Sequence, residues 1–96
     1  MRGRSLITPR IADAATKARE RGVEVTLLDD RGEGLDSGEA MVSMSDTIVA
    51  ELDAAEGGAV TVRLAPRGRP VAVSIVTSNA RDRVELDASG KPVRRR

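Results

Sequence analysis

The chain has 96 residues, enough for one small domain, and its 16 basic and 15 acidic side chains leave a formal charge of +1. With 40% hydrophobic and 32% charged residues, it has the composition of a folded protein rather than of a disordered tail. No apolar run exceeds four residues, far below the ~18 that cross a bilayer, and the absence of cysteine excludes disulfides and thiolate zinc sites. The basic start Met1–Arg4 is not followed by the apolar segment of a signal peptide, so we expect a cytoplasmic protein.

The first predicted elements are a short strand, a helix and a second strand. Residues 4–7 are compatible with a strand. Thr8, followed by proline, is typical of a helix N-cap, and apolar residues at helical spacing predict a helix over 9–21, which Gly22 ends. Alternating apolar and polar residues then predict a half-buried strand over 23–28.

An acidic, glycine-rich loop over 29–38 leads to the second predicted helix, at 38–56. Asp36, followed three residues later by Glu39, resembles a helix capping box. Apolar residues recur after it at helical spacing and predict one buried stripe. An alternative stays open, since Met41–Ser45 also fits a strand that would leave only a shorter helix behind it.

The C-terminal part of the chain predicts a hairpin. Strict alternation indicates strands at 59–65 and 71–77, joined by a turn over 66–70 that is bracketed by prolines. Residues 83–87 fit a short edge strand. A basic tail over 91–96 follows.

These elements have the order β-α-β-α-β-β, which favours an α+β two-layer sandwich in a single domain over residues 1–90. Two helices are expected on one face of a mixed sheet that ends in the C-terminal hairpin. The element order resembles that of small nucleic-acid-binding sandwiches, such as the Alba type and the C-terminal domain of initiation factor 3. The segment Gly22–Leu27 is also similar to HPr-type phosphocarriers, but Ile7 stands where that family carries its phosphorylated histidine. The run Val42–Val62 resembles part of the double-psi and swapped-hairpin barrels, which would suit the strand alternative.

The residue types that are missing limit the chemistry of this chain. It has no histidine and no cysteine, so it lacks the commonest general base and the most nucleophilic side chain of enzymes. It has no aromatic side chain, so it cannot stack on bases as single-strand-binding proteins do. The carboxylates of the loop over 29–38 do not have the spacing of a calcium-binding loop. We therefore expect a protein without enzymatic activity, cofactor or metal.

The charges are unevenly distributed along the chain. Residues 1–10 carry a net charge of +3, residues 11–60 carry −8, and residues 61–96 carry +6. Within the last segment, the arginines gather in the hairpin and at the C-terminus. The predicted contact residues are the arginines of these two clusters: Arg63, Arg67, Arg69, Arg94, Arg95 and Arg96.

This charge pattern favours a non-enzymatic binding module that contacts a nucleic-acid phosphate backbone through the arginine-rich hairpin and the basic termini. Guanidinium groups suit phosphate because they offer forked N–H donors. The alternative is a self-assembling structural subunit, in which the acidic middle of one copy meets the basic end of the next. A third interpretation is that acidic helices and basic strands neutralise each other within one molecule. We expect no membrane partner.

Overall fold

The computed structural model describes residues 8–31, 35, 37–78 and 83–93. The predicted α+β fold, with two helices and a mixed sheet, is confirmed, and the predicted strand over 4–7 lies outside the described residues. Among the described residues, no helix is both long and apolar enough to span a membrane. The elements are α1 (Pro9–Glu20), β1 (Glu24–Asp29), α2 (Gly38–Ala54), β2 (Ala59–Leu64), β3 (Val73–Thr77) and β4 (Val84–Leu86).

The four strands form one sheet in the order β1-β2-β3-β4. The pair β1–β2 is parallel and is connected through α2, whereas β2–β3 and β3–β4 are antiparallel. The predicted C-terminal hairpin is thus confirmed as β2–β3, although β3 begins at Val73 rather than at residue 71. The short edge strand predicted over 83–87 is β4.

The helices cover one face of the sheet. Helix α1 contributes Ile11 and three alanines to the core, and these small side chains let it lie close to α2 and β1. Helix α2 contributes Met44, Ile48 and Leu52, which are fully buried together with alternate residues of the strands. Each such large side chain stabilises the fold by about 1.5–3 kcal/mol. The intervening strand residues form the opposite face, here called the open face, which neither described helix covers.

Short polar side chains begin both helices. The Thr8 hydroxyl accepts a hydrogen bond from the N–H of Ile11 at 3.2 Å, which confirms the predicted start of α1. In α2, the Ser37 hydroxyl accepts from the N–H of Ala40 at 3.0 Å. Ser37, rather than the predicted Asp36, is therefore the N-cap of α2, because its hydroxyl supplies the oxygen acceptor that the first turn needs. Asp36 itself lies outside the described residues.

Helix α2 also decides between the two alternatives for Met41–Ser45. These residues lie inside the helix. Ala40, Met44 and Ile48 are buried together because helical spacing places them on one face. The strand alternative for this segment is wrong.

A single arginine joins the end of α1 to the end of α2. The Arg21 guanidinium donates from Nη2 to the carbonyl oxygens of Leu52 at 2.7 Å and Ala55 at 2.8 Å. Leu52 lies in the last turn of α2 and Ala55 is its C-cap, whose N–H donates to the Leu52 carbonyl at 3.3 Å. Arg21 therefore adds a side-chain donor where the helix runs out of backbone N–H groups. A cation at this position also suits the negative end of the helix dipole.

The residues that follow β4 return beside it. The N–H of Val93 donates to the carbonyl of Glu85 at 2.8 Å, and the N–H of Asp87 donates to the carbonyl of Lys91 at 2.8 Å. Pro92 forms an isolated bridge with Leu86. The first three residues of the predicted basic tail therefore cover this edge of the sheet, with a proline that blocks further strand pairing. Residues 94–96 lie outside the described residues.

Asp87 holds the turn after β4 by accepting three hydrogen bonds on Oδ1. The donors are the Ser89 hydroxyl at 2.6 Å, the Ser89 N–H at 2.9 Å and the Lys91 N–H at 3.1 Å. These bonds, foremost the one from the Ser89 hydroxyl, lower the pKa of Asp87 below its ordinary value of 3.8.

The lowered pKa of Asp87 makes the stability of the fold depend on pH. Because the folded state holds the ionised form, this stabilisation is complete above pH 3.8 and is lost as the pH falls through the folded-state pKa. In urea unfolding between about pH 6 and pH 2, we expect the stability advantage of the wild type over Asp87→Asn to shrink as the pH falls. An advantage that stays constant over this range would contradict the assignment.

Candidate functional site

A cleft lies on the open face of the sheet, beside the connection between β2 and β3. Its volume is about 390 Å³. The connection forms one wall, and side chains of β2, β3 and the β4 region form the rest. The polar side chains that line it are Arg63, Arg69, Ser74, Arg83 and Glu85. Three guanidinium groups thus line one cavity.

The register of the sheet brings three of these residues into one row. Arg63 of β2 pairs with Ser74 of β3, and Ser74 pairs with Glu85 of β4. Directly paired residues point to the same face of a sheet, so the row presents a guanidinium, a hydroxyl and a carboxylate side by side. All three side chains are carried by hydrogen-bonded strands.

The connection between β2 and β3 positions Arg69. Its two ends are tied together by a hydrogen bond from the N–H of Ala65 to the carbonyl of Ala72, at 2.7 Å. Gly68 has a φ of +88°, a value that the turn needs at this position and that glycine adopts without steric cost. Arg69 directly precedes Pro70, and a residue before proline is restricted to extended backbone conformations. The backbone of Arg69 is therefore largely fixed, and a ligand that binds its guanidinium has less conformational entropy to remove.

Arg63 is paired within the molecule. Its Nε donates to Oδ2 of Asp30 at 2.7 Å, and its Nη2 lies 2.6 Å from the same oxygen. Asp30 follows β1, and its N–H donates to the carbonyl of Leu64 at 2.8 Å, which places the carboxylate beside β2. Mutual neutralisation of acidic and basic residues, one of the three interpretations of the charge pattern, therefore occurs at this arginine.

Arg83 belongs to the cleft, although it was not among the predicted contact residues. It precedes β4, with its side chain 60% exposed, and its Nη1 lies 3.9 Å from Oε2 of Glu85, whose side chain is only 10% exposed. The sequence pattern could have predicted that Arg83 lies on the same face as Glu85. Alternation along the edge strand predicted over 83–87 puts Arg83 and Glu85 on one face.

The structure brings together only part of the predicted arginine set. Arg63 and Arg69 line the cleft. Arg67 lies exposed on the turn of the connection and does not line it. Arg94–Arg96 lie outside the described residues. The described part of the chain contains no group of three or more acidic side chains that could hold a metal ion.

Helix α2 presents a different surface on the other side of the molecule. It contains no lysine or arginine. Its outward stripe carries Glu39, Val42, Asp46 and Asp53, all exposed, and Val42 is 57% exposed. Arg10 of α1 neutralises one of these acids, with Nη1 2.7 Å from Oδ1 of Asp46. The helix layer is thus acidic along α2, whereas the open face gathers arginines.

Comparisons with protein-family models, with curated proteins and with solved structures found no match to this chain. The chemistry that the cleft could bind follows from its geometry and charges alone. Several guanidinium groups around a cavity on a rigid sheet suit an anion with more than one oxygen acceptor. The carboxylates of Asp30 and Glu85 reduce the net positive charge of the cleft without removing it.

Proposed function

We propose that the chain is a non-enzymatic binding module that contacts the phosphate backbone of nucleic acids through the cleft on its open face. The observation that carries this proposal is the convergence of Arg63, Arg69 and Arg83 on one cavity. A guanidinium can donate two parallel hydrogen bonds to phosphate oxygens, although at Arg63 the Nε and Nη2 donors first have to exchange the Asp30 carboxylate for phosphate. Both described helices pack on the other face of the sheet.

The residue types of the chain favour binding to the backbone of a duplex over binding to single strands or to base edges. Single-strand-binding proteins stack bases on aromatic rings, and this chain has none. Contacts to phosphates position a protein on a duplex without reading its sequence. The module is accordingly a backbone binder with little sequence preference. Without histidine or cysteine, it has no usual acid–base or thiol chemistry to act on the ligand.

Direct binding to DNA tests this proposal. We expect two unrelated duplexes of about 20 base pairs to bind with affinities that agree within about threefold, because the contacts are to phosphates. Both affinities should fall steeply when the salt is raised from about 50 to about 200 mM, because counterions return to the backbone. Fluorescence anisotropy with labelled duplexes provides the measurement. No binding at the lower salt concentration, or a strong preference for one duplex, would contradict the proposal.

The acidic stripe of α2 favours a second candidate function, the self-assembling subunit. Glu39, Asp46 and Asp53 lie on the layer opposite the open face, so the acidic stripe of one copy could meet the arginine cleft of another. Contacts between two different surfaces produce rings or filaments. Light scattering on the same samples separates the two functions. If the chain self-assembles, its mass without added DNA should exceed that of a monomer at low salt and fall as the salt concentration rises. Duplex binding should then be negligible.

A further inference from the structure

We propose that Asp30 is an internal competitor of the ligand: in the free protein, its carboxylate holds the place at Arg63 that a phosphate oxygen takes in the complex. This inference rests on the proposed function and adds a regulatory element to the same cleft. It assigns to Asp30 the role of lowering the affinity of the module for the phosphate backbone.

The geometry of the pair supports this role. Both Nε and Nη2 of Arg63 contact the same oxygen, Oδ2 of Asp30, at 2.7 and 2.6 Å. Nε and Nη2 form one of the donor pairs with which a guanidinium binds two oxygens of a phosphate group. Phosphate and Asp30 cannot both use these two donors at once, so the ligand must displace the carboxylate before Arg63 can present them to a phosphate.

The backbone around Asp30 keeps the competitor in position. Its N–H donates to the carbonyl of Leu64 at 2.8 Å, and the preceding Asp29 accepts the N–H of Arg31 on its side chain at 2.9 Å. The turn after β1 is thus held by hydrogen bonds. Asp30 therefore binds Arg63 without the loss of translational and rotational freedom that an external anion meets on binding.

The pair is nevertheless accessible to a ligand. The Arg63 side chain is 57% exposed and that of Asp30 is 40% exposed. Ion pairs with this exposure are weak because water and salt screen them. A backbone already bound at Arg69 and Arg83 presents further phosphates at high local concentration, so it can compete with Asp30.

Replacement of Asp30 by asparagine is expected to strengthen duplex binding. The gain cannot exceed what the Asp30–Arg63 pair contributes, and an exposed pair of this kind is worth at most about a fivefold factor, so we expect a gain of about three- to fivefold at about 0.1 M salt. Asp46→Asn is the matched control, because it also removes one acidic charge and one exposed aspartate–arginine pair, Asp46–Arg10, but on the helix layer. We expect the control to change the affinity by less than about twofold.

Arg63→Ala provides the second half of the test. In the wild type, it should weaken duplex binding less than it does in the Asp30→Asn background, because Asp30 competes with the phosphate for this side chain. In the Asp30→Asn background, it should remove the gain that Asp30→Asn produces. Circular dichroism verifies the fold of each variant, and Asp30→Ser replaces Asp30→Asn if the latter does not fold.

The possible outcomes separate this inference from the proposed function. If wild type, Asp30→Asn and Asp46→Asn all fail to bind the duplex at about 50 mM salt, the proposed function is wrong, and the competitor role of Asp30 is wrong as well. If the wild type binds, but Asp30→Asn and Asp46→Asn have equal affinities, the function stands and the competitor role is wrong. A gain confined to Asp30→Asn, and removed by Arg63→Ala, supports both.

Discussion

Replacement of Gly90 by alanine is expected to lower the free energy of unfolding by about 2–5 kcal/mol. Gly90 is buried in the turn after β4 and has a φ of +82°. A Cβ added there would lie 2.7 Å from the carbonyl oxygen of Ala40 and 3.0 Å from Cβ of Ser43. Both neighbours belong to α2, so the helix backbone itself would have to move.

The contact that this substitution disturbs joins the end of the sheet to α2. The Ser43 hydroxyl donates to the carbonyl of Gly90 at 2.8 Å, and only glycine lets the two backbones approach this closely. Gly68→Ala is the matched control, since Gly68 has a similar φ of +88° but no heavy atom within 4 Å of an added Cβ. It should show the backbone strain alone, about 1–2 kcal/mol. Equal losses for both variants in urea unfolding would contradict the close packing of Gly90 on α2.

The double variant Arg69→Ala/Arg83→Ala is expected to bind duplex DNA about 60-fold more weakly than the wild type at about 0.1 M salt. Two lost phosphate contacts reduce the steepness of the log–log salt dependence by about 1.8. Because such contacts contribute little at about 1 M salt, this difference amounts to about 60-fold in affinity at about 0.1 M, one decade lower. Both arginines are exposed on the open face, outside the hydrophobic core. The unfolding free energy should therefore stay close to that of the wild type.

Arg10→Ala/Lys17→Ala is the control for this effect. It also removes two positive charges, but from α1, where both side chains pair with aspartates of the helix layer. We expect the control to retain the affinity of the wild type within about threefold, since charges this far from the bound backbone are screened. If both double variants lost affinity equally, net charge rather than the cleft would determine binding.

Local sequence patterns predicted most of the secondary structure. The start of α1 at Thr8, its end before Gly22 and the β2–β3 hairpin each follow from signals within a few neighbouring residues. The error at the start of α2 is of the same local kind. Asp36 and Ser37 are both good capping residues, and their order along the chain does not decide between them.

The cleft could be predicted only in part, because its residues meet through the sheet. Arg63 and Arg69 are near one another in the sequence, so the predicted hairpin already places them in one cluster. Arg83 joins them through the pairing of β3 with β4, and Asp30 reaches Arg63 from 33 positions away, beside the parallel pair β1–β2. Composition and alternation do not fix which strands are neighbours. The Arg21 contacts to the end of α2 were missed for the same reason, since they span more than 30 positions.

The salt dependence of duplex binding tests the central claim most directly. For the wild type, we expect two to three phosphate contacts from the cleft and one or two from the other predicted arginines. At about 0.9 for each contact, the logarithm of the association constant should fall against the logarithm of salt concentration with a slope of about −3 to −5. In the Arg69→Ala/Arg83→Ala variant, the slope should become shallower by about 2. A wild-type slope near zero, or an unchanged slope in the variant, would show that the arginines of the cleft do not bind the phosphate backbone.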